Sequence, residues 1–141
     1  MNRNQSCGAL IKQLHDELEK RANNELRAEN ITSAQVGALL VLHESPEGRL
    51  PLKELEQRLH VSQATAAGIV VRLEQKGMVQ GVQDASDRRI KLVSITREGV
   101  ERCRRAEKHM EDTENRLLSG LTETEREIFA TLLKKVRDTM L

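Results

Sequence analysis

The sequence has almost no aromatic side chains. Its 141 residues include one Phe and neither Trp nor Tyr. Proteins that bind single-stranded nucleic acid stack bases on aromatic side chains, so the scarcity disfavours that class of function. It equally disfavours an aromatic-lined ligand cage. The core must therefore be built from Leu, Ile, Val, Ala and Met.

Cysteine is scarce as well, and long apolar runs are missing. Cys7 and Cys103 are distant in the sequence, and the polar start is not followed by the apolar segment of a signal peptide. The longest apolar run, Val36–Leu42, is far shorter than the roughly 20 residues that cross a bilayer. We therefore expect a cytoplasmic protein with reduced thiols and no membrane partner. A chain of this length is expected to form one integrated domain without metals or cofactors.

The net charge of +1 is uninformative, but its distribution is uneven. Residues 49–97 contain nine Lys and Arg against five Asp and Glu, a local net charge of +4. The remainder of the chain carries a net charge of −3. A basic centre between acidic flanks suggests an anionic partner for the centre, although charge alone is weak support.

Apolar residues recur at helical spacing in six segments. Residues that commonly begin or end helices flank these segments. The expected boundaries are Ser6 and Ala28 for the first helix, Thr32 and Ser45 for the second, Pro51 and His60 for the third, Ser62 and Gly77 for the fourth, Thr96 for the beginning of the fifth and Thr122 for that of the sixth.

A different pattern separates the fourth and fifth helices. Met78–Val82 and Ile90–Ile95 are short and rich in β-branched residues, and the polar segment Gln83–Arg88 joins them. This pattern predicts a β-hairpin with a charged tip. The fold class is therefore mainly α with a small β-hairpin wing (α+β). We expect a winged helix-turn-helix lobe at 32–97 and a helical dimerisation region at 1–31 and 98–141.

The order of elements in residues 50–96 predicts binding to duplex DNA. A helix fits the major groove, and the residues near its N-terminus reach base edges. The fourth helix begins with small or polar side chains, of which Gln63 can pair with adenine and Thr65 can contact phosphate or a thymine methyl. Arg72 is positioned to hold a phosphate. Arg88, Arg89 and Lys91 surround the wing tip, and Arg favours a narrow minor groove.

The stretch from Gly77 to Gly99 resembles the wing signature of the MarR (multiple antibiotic resistance regulator) family. That signature contains D-x-x-D-x-R, seen here as Asp84 to Arg89, and then an apolar-T-x-x-G segment, seen here as Ile95 to Gly99. The segments Thr32–Gln35 and Leu55–Ser62 match the family at the expected spacing, and the helix order fits along the whole chain.

The resemblance implies a homodimeric regulator on a pseudo-palindromic operator. The first, fifth and sixth helices would form the dimer, and Asp87 would brace Arg89 at the wing tip. Many members repress transcription until a small phenolic or other anionic effector binds. The expected DNA-contacting residues are Ser62, Gln63, Thr65, Ala66, Gly68, Arg72, Asp87, Arg88, Arg89 and Lys91.

The sequence also departs from the family. Gly68 replaces a residue that is often polar or basic, and Gln80-Gly81 replaces an often basic pair. Both changes remove potential phosphate contacts. We therefore expect modest affinity and a shallow salt dependence.

The sequence suggests more than one signal that the protein could sense. A pocket between the dimerisation helices and the DNA-binding lobe is the expected effector site, with Leu14, His15, Leu18, Leu40 and His43 as candidate lining residues. Redox sensing through Cys7 is an alternative, because a helix N-terminus lowers a thiol pKa. The chain lacks the tyrosines that hold the thiolate in a peroxide-sensing branch of the family.

Other histidine and cysteine functions are less favoured. Zinc sensing is weakly supported, because none of the histidines shows a short metal-ligand spacing. Cys103 is expected in the core as a small hydrophobic residue. No arrangement typical of an enzyme is present. A winged helix that binds a protein instead of DNA remains the alternative from a different class.

Overall fold

The structure is a computed structural model that describes residues 2–141. Short 3-10 turns occur at Arg3–Gln5 and Pro46–Gly48. The chain divides within its fifth helix into two compact units, one ending at Glu107 and the other beginning at Lys108. The elements in the described residues are α1 (Cys7–Ala28), α2 (Ser33–His43), β1 (Arg49–Pro51), α3 (Leu52–Leu59), α4 (Gln63–Gln75), β2 (Val79–Gln83), β3 (Lys91–Ile95), α5 (Arg97–Leu117) and α6 (Glu123–Met140).

The predicted capping residues begin the helices as expected. At α2 the backbone N–H of Gln35 donates to Thr32 Oγ1 at 3.2 Å, and the Thr32 N–H donates to Gln35 Oε1 at 3.4 Å. Thr122 and Glu125 form the same reciprocal pair at α6. These hydrogen bonds satisfy N–H groups that an α-helix leaves without partners. Because the Glu125 carboxylate accepts a hydrogen bond from the backbone N–H of Thr122, the pKa of the Glu125 carboxyl is lowered.

The sheet has three antiparallel strands in the order β1-β3-β2. The hairpin of β2 and β3 confirms the predicted wing. The sequence does not predict β1 and instead predicts that Pro51 lies in the first turn of α3. In the structure Pro51 ends β1 in an extended conformation. Proline suits an edge strand because it has no N–H to donate. A three-residue strand is too short to show alternation, and only the buried Leu50, opposite Val93, anchors it.

The first unit contains the hydrophobic core. The core joins residues of α2, α3, α4, the sheet and α5, with Leu26 of α1 packed against it. Cys103 is 1% exposed, which confirms its predicted place in the core. The predicted fold class, a winged helix-turn-helix with a small sheet, is confirmed. The largest fully buried side chains are Leu39, Leu42, Leu55, Leu73, Val70, Val79, Val93 and Cys103.

The second unit consists of the end of α5 and all of α6. Arg126 Nε donates to the carbonyl of Leu118 at 3.1 Å, which joins the turn to the first part of α6. None of residues 123–140, all of which the structure describes, is buried. Several large apolar side chains of α6 are exposed, and they are Ile128, Leu132, Leu133, Val136 and Met140.

Candidate nucleic-acid interface

The turn between α3 and α4 is stabilised at both ends. His60 ends α3 in the left-handed conformation, with φ at 55°. The next N–H, of Val61, donates to the carbonyl of Glu56. Ser62 then caps α4 by accepting from the N–H of Thr65 at 3.2 Å, while its own hydroxyl donates to Thr65 Oγ1. This geometry fixes α4 relative to α3 and leaves the first turn of α4 exposed.

The two faces of α4 differ sharply in burial. Ala66, Ile69, Val70 and Leu73 are buried in the core. The inclusion of Ala66 among the DNA-contacting residues is therefore wrong, because its side chain is 0% exposed. Its position four residues before Val70 assigns it to the core face of a 3.6-residue helix. The other α4 residues predicted to contact DNA are exposed, namely Gln63, Thr65, Gly68 and Arg72, as is the cap Ser62.

The connection from α4 to the sheet explains the glycines of the wing signature. Gly77 has φ of 74°, and the N–H of Met78 donates to the carbonyl of Leu73, which ends the helix. Thr96 Oγ1 donates to the carbonyl of Gly77 at 2.6 Å and accepts from the N–H of Gly99. A Cβ at position 99 would lie 2.3 Å from the carbonyl oxygen of Met78. Only glycine therefore allows α5 to begin so close to β2.

The wing tip is organised by two aspartates. Asp84 Oδ1 accepts from the backbone N–H and the hydroxyl of Ser86. Asp87 Oδ1 accepts from the backbone N–H of Arg89 at 3.0 Å and from its Nε at 3.1 Å, while Asp87 Oδ2 accepts from Nη2 at 3.3 Å. The structure therefore brings Asp87 and Arg89 together in the arrangement that the sequence motif implies.

The electrostatics of the tip follow from this contact. The Arg89 guanidinium and backbone N–H lower the pKa of the Asp87 carboxyl, so Asp87 is ionised at neutral pH. The Arg89 side chain is nevertheless 91% exposed and projects into solvent. Arg88 and Lys91 are exposed too. The aliphatic end of Lys91 crosses over Gly81, where a Cβ would lie 2.9 Å from Lys91 Cε.

Lys76, at the end of α4, is a positioning residue that the sequence analysis missed. Its Nζ donates to the carbonyl of Asn30 at 2.6 Å and to Gln35 Oε1 at 2.9 Å. Gln35 is 4% exposed and also belongs to the cap of α2. Lys76 therefore ties the end of α4 to the junction between α1 and α2. Partners so distant in sequence leave no local signal of this role.

The same junction is held from the side of α5. Arg102 Nη1 donates to the carbonyl of Glu29 at 2.6 Å and to its carboxylate at 2.8 Å. Arg105 reaches the same carboxylate at 3.0 Å. The Arg102 and Glu29 side chains are mostly buried, at 20% and 25% exposure, so water screens this pair only partly. The junction after α1 is thus fixed to both α4 and α5.

The predicted effector residues differ in their exposure within one chain. The His15 side chain is 69% exposed, and its Nδ1 lies 3.3 Å from Asp16 Oδ1. Leu14 and His43 are exposed, whereas Leu18 and Leu40 are half-buried. His15, Asp16 and Glu19 approach one another on α1. Exposed acidic groups often gather without an ion, so no metal site is assigned there.

The two cysteines lie in opposite environments. Cys7 is exposed in the first turn of α1. Burial raises the pKa of the Cys103 thiol to about 11, and Glu107 and Glu44 add to the rise. Cys103 therefore remains a protonated thiol at neutral pH, and Cys7 is the accessible one. Among the described helices, none combines the length and apolar character of a membrane span.

Comparison with known proteins gives the family. A profile described as the MarR family matches residues 29–90. The regulator YwoH of Bacillus subtilis, described as an HTH-type transcriptional regulator, is 30% identical over 117 residues, which cover 83% of each chain. This chain belongs to the MarR family. This protein is accordingly a DNA-binding transcription regulator and not an enzyme.

Other relatives agree with the assignment. YwaE of B. subtilis, also described as an HTH-type transcriptional regulator, is 31% identical over 66% of this chain, but the match spans only about half of that protein, 54%. The solved structure of MarR has a TM-score of 0.69 at 29% identity, covering 99% of this chain and 94% of that one. MepR of Staphylococcus aureus, solved as a DNA complex, has a TM-score of 0.84 at 23% identity, with 95% and 99% covered, and shows that the fold is shared.

Proposed function

We propose that this regulator binds duplex DNA with α4 in the major groove and the wing tip in the adjacent minor groove. The observation that carries the proposal is the braced Arg89. Its side chain is 91% exposed yet held by two hydrogen bonds to Asp87, with a third from its backbone N–H, at the tip of a hairpin that follows α4 directly. Arginine pre-oriented in this way enters a narrow, electronegative minor groove at a low entropic cost. The MepR–DNA complex is a precedent for the fold on DNA.

The exposed residues of the lobe divide by role. Gln63 offers an amide suited to adenine in the major groove. Thr65, whose hydroxyl oxygen accepts from Ser62, offers its methyl group to thymine or donates its hydroxyl proton to a phosphate oxygen. Arg72, Arg88 and Lys91 supply positive charge for phosphates, which fixes the position of the lobe without reading sequence. Asp87 acts through Arg89 as its positioning residue.

Charge-removing variants test the role of the wing. We expect Arg89→Ala to weaken duplex binding about 5- to 100-fold, the effect of removing one good contact. Asp87→Ala should produce a smaller loss, because Arg89 remains but is no longer oriented. Arg104→Ala, at an exposed arginine of α5, is the control with the same change in charge and should bind normally. Fluorescence anisotropy at fixed salt measures all three. Equal affinity of Arg89→Ala and wild type would contradict the proposal.

We further propose that the binding species is a homodimer. The first unit exposes Leu10, Ile11 and Leu14 on α1, at 43–49% exposure, and the second exposes five large apolar side chains on α6. Groups of exposed large apolar side chains of this kind are typical of protein–protein interfaces. A second copy of this chain is the occupant most consistent with a symmetric operator. Two-fold symmetry would place the half-sites about 34–36 Å apart.

A charge placed on the apolar face of α6 tests the dimer. Leu132→Glu should yield a folded monomer in sedimentation velocity experiments and weaken operator binding, because one lobe alone contacts only a half-site. Lys134→Glu introduces the same side chain on the opposite face of α6 and should remain dimeric. A dimeric Leu132→Glu protein at micromolar concentration would exclude this face from the interface.

We propose that the protein represses transcription until a small phenolic or other anionic effector binds and releases it from DNA. The Escherichia coli homoprotocatechuate degradative operon repressor is 24% identical over 110 residues, covering 78% of this chain and 73% of that protein, and its name supports this direction. Leu14, His15, Leu18, Leu40 and His43 are the proposed lining, completed by the second copy. Effector binding would change the spacing of the two α4 helices as a rigid-body switch.

Titration of the DNA complex with aromatic carboxylates tests the effector. Release of DNA by wild type, but not by His43→Ala, would support the pocket. A His43→Ala dimer that has already lost DNA binding without any effector would assign His43 a structural role and oppose its role as a sensor.

Redox control through Cys7 is the second regulatory candidate, favoured by its exposure in the first turn of α1. Mild peroxide should then abolish DNA binding by wild type and leave Cys7→Ser unaffected. Equal loss of binding in both proteins would remove Cys7 from the mechanism.

A further inference from the structure

The exposed face of α4 has an unusual chemical character for a helix that enters the major groove. Residues 64, 68, 71 and 75 lie on the side opposite the buried residues, because the helix repeats every 3.6 residues. They are Ala64, Gly68, Val71 and Gln75, and all are exposed. Val71 is the one large apolar side chain of this face and is 48% exposed.

This face lacks the side chains that read G·C pairs. Guanine is read by Arg or Lys and cytosine by Asp or Glu. The first charged residue after α4 begins is Arg72, so residues 63–71 offer none of these groups. What remains at the centre of the face is apolar, and the apolar feature of the major groove is the 5-methyl group of thymine.

The spacing of the face matches the way a helix reads a groove. Recognition helices of homeodomains contact DNA with residues at i, i+3, i+4 and i+7. The corresponding positions here are Ala64, Ala67, Gly68 and Val71. A Cβ at Gly68 would meet no atom within 4 Å, so the glycine is not required by the fold and leaves room for a base beside Val71.

We propose that Val71 is a specificity-determining residue that contacts the 5-methyl group of thymine in each half-site. Gln63, in the first turn of the same helix, would select adenine at a separate position of the half-site. The partner is therefore duplex DNA with A·T pairs where α4 enters the groove. This inference rests on the proposed DNA-binding function and specifies which chemistry it recognises.

Replacement of thymine by deoxyuridine tests the contact, because it removes the methyl group and retains base pairing. The probe is the duplex that wild type selects from a random pool, with each half-site thymine replaced in turn. We expect at least one position to lose about fourfold in affinity, the equilibrium factor for burying one methyl group. Thymines outside the footprint serve as the control and should show no change.

Val71→Ala assigns that methyl contact to the side chain. The variant should bind the thymine and deoxyuridine duplexes with equal affinity at the position where wild type discriminates. A deoxyuridine effect of the same size in both proteins would overturn the assignment to Val71. Equal binding of all substituted duplexes by wild type would overturn methyl recognition while leaving DNA binding intact. Failure to select any duplex would overturn the proposed function, and this inference with it.

Discussion

Gly99 illustrates how one residue determines the geometry of the whole lobe. Its missing side chain lets α5 begin against the carbonyl of Met78, where Thr96 also joins the end of α4 to the sheet. The family motif indicates a glycine there, but the sequence gives no reason for it. The reason is a backbone contact between segments about 20 residues apart in sequence, which only the fold reveals.

We expect Gly99→Ala to destabilise the protein by about 1–3 kcal/mol, because the crowding atom belongs to the backbone and cannot swing away. Urea unfolding measures the effect. Gly37→Ala is the matched control, since a Cβ there meets no atom within 4 Å inside α2. It should raise stability by about 0.5–1 kcal/mol through improved helix propensity. An unchanged midpoint for Gly99→Ala would contradict the close approach.

Cys103 gives a prediction of pH dependence. Its folded pKa of about 11 exceeds the ordinary value of 9.0. Between these values the unfolded thiol loses its proton while the folded one keeps it, so the free energy of unfolding falls as pH rises. The contribution is complete below pH 9. We expect wild type to lose more stability than Cys103→Ala from about pH 9 to 11, and parallel pH profiles would contradict this.

At the scale of elements, the sequence predicts local features well and junctions poorly. The caps Thr32, Ser62 and Thr122 and the end of α4 at Gly77 are confirmed, because each depends on residues within one turn of helix. β1 escaped prediction because it needs β3 as a partner. The prediction that Ala66 contacts DNA rests on its closeness to the start of α4 and is wrong because the helix repeat places Ala66 on the core face.

Lys76 shows what such local patterns cannot supply. Its hydrogen bonds to Asn30 and Gln35 set the end of α4 against the junction of α1 and α2. We expect Lys76→Met to lower stability by about 1.5–3 kcal/mol, the usual range for hydrogen bonds of a charged group. Lys53→Met, at an exposed lysine of α3, should change it by less than about 0.5 kcal/mol. Thermal unfolding compares the two, and similar effects would argue against the Lys76 junction.

At the scale of the whole molecule, charge distribution has a measurable consequence. By its family resemblance, the lobe lacks a residue that is often polar or basic at Gly68 and an often basic pair at Gln80-Gly81. Each neutralised phosphate contributes about −0.9 to the slope of log affinity against log salt. We expect a slope shallower than about −8 in a salt titration of operator binding. A steeper slope would mean that phosphate contacts have been underestimated.

Quaternary structure is the feature that the sequence predicts least directly. The apolar faces of α1 and α6 are visible as helical periodicity, and the structure leaves both exposed. The proposed effector pocket on α1 and α2 would be completed by the second copy. The small set of phosphate-binding residues limits how strongly the dimer as a whole is expected to bind DNA.

Selection of bound fragments from a random duplex pool at low salt tests the proposed sequence-specific binding most directly. We expect enrichment of a pseudo-palindrome whose A·T-containing half-sites lie about one helical turn apart, 34–36 Å. Arg89→Ala should enrich the same sequence less strongly. A pool that shows no enrichment with the wild-type protein would contradict sequence-specific DNA binding and favour a protein partner.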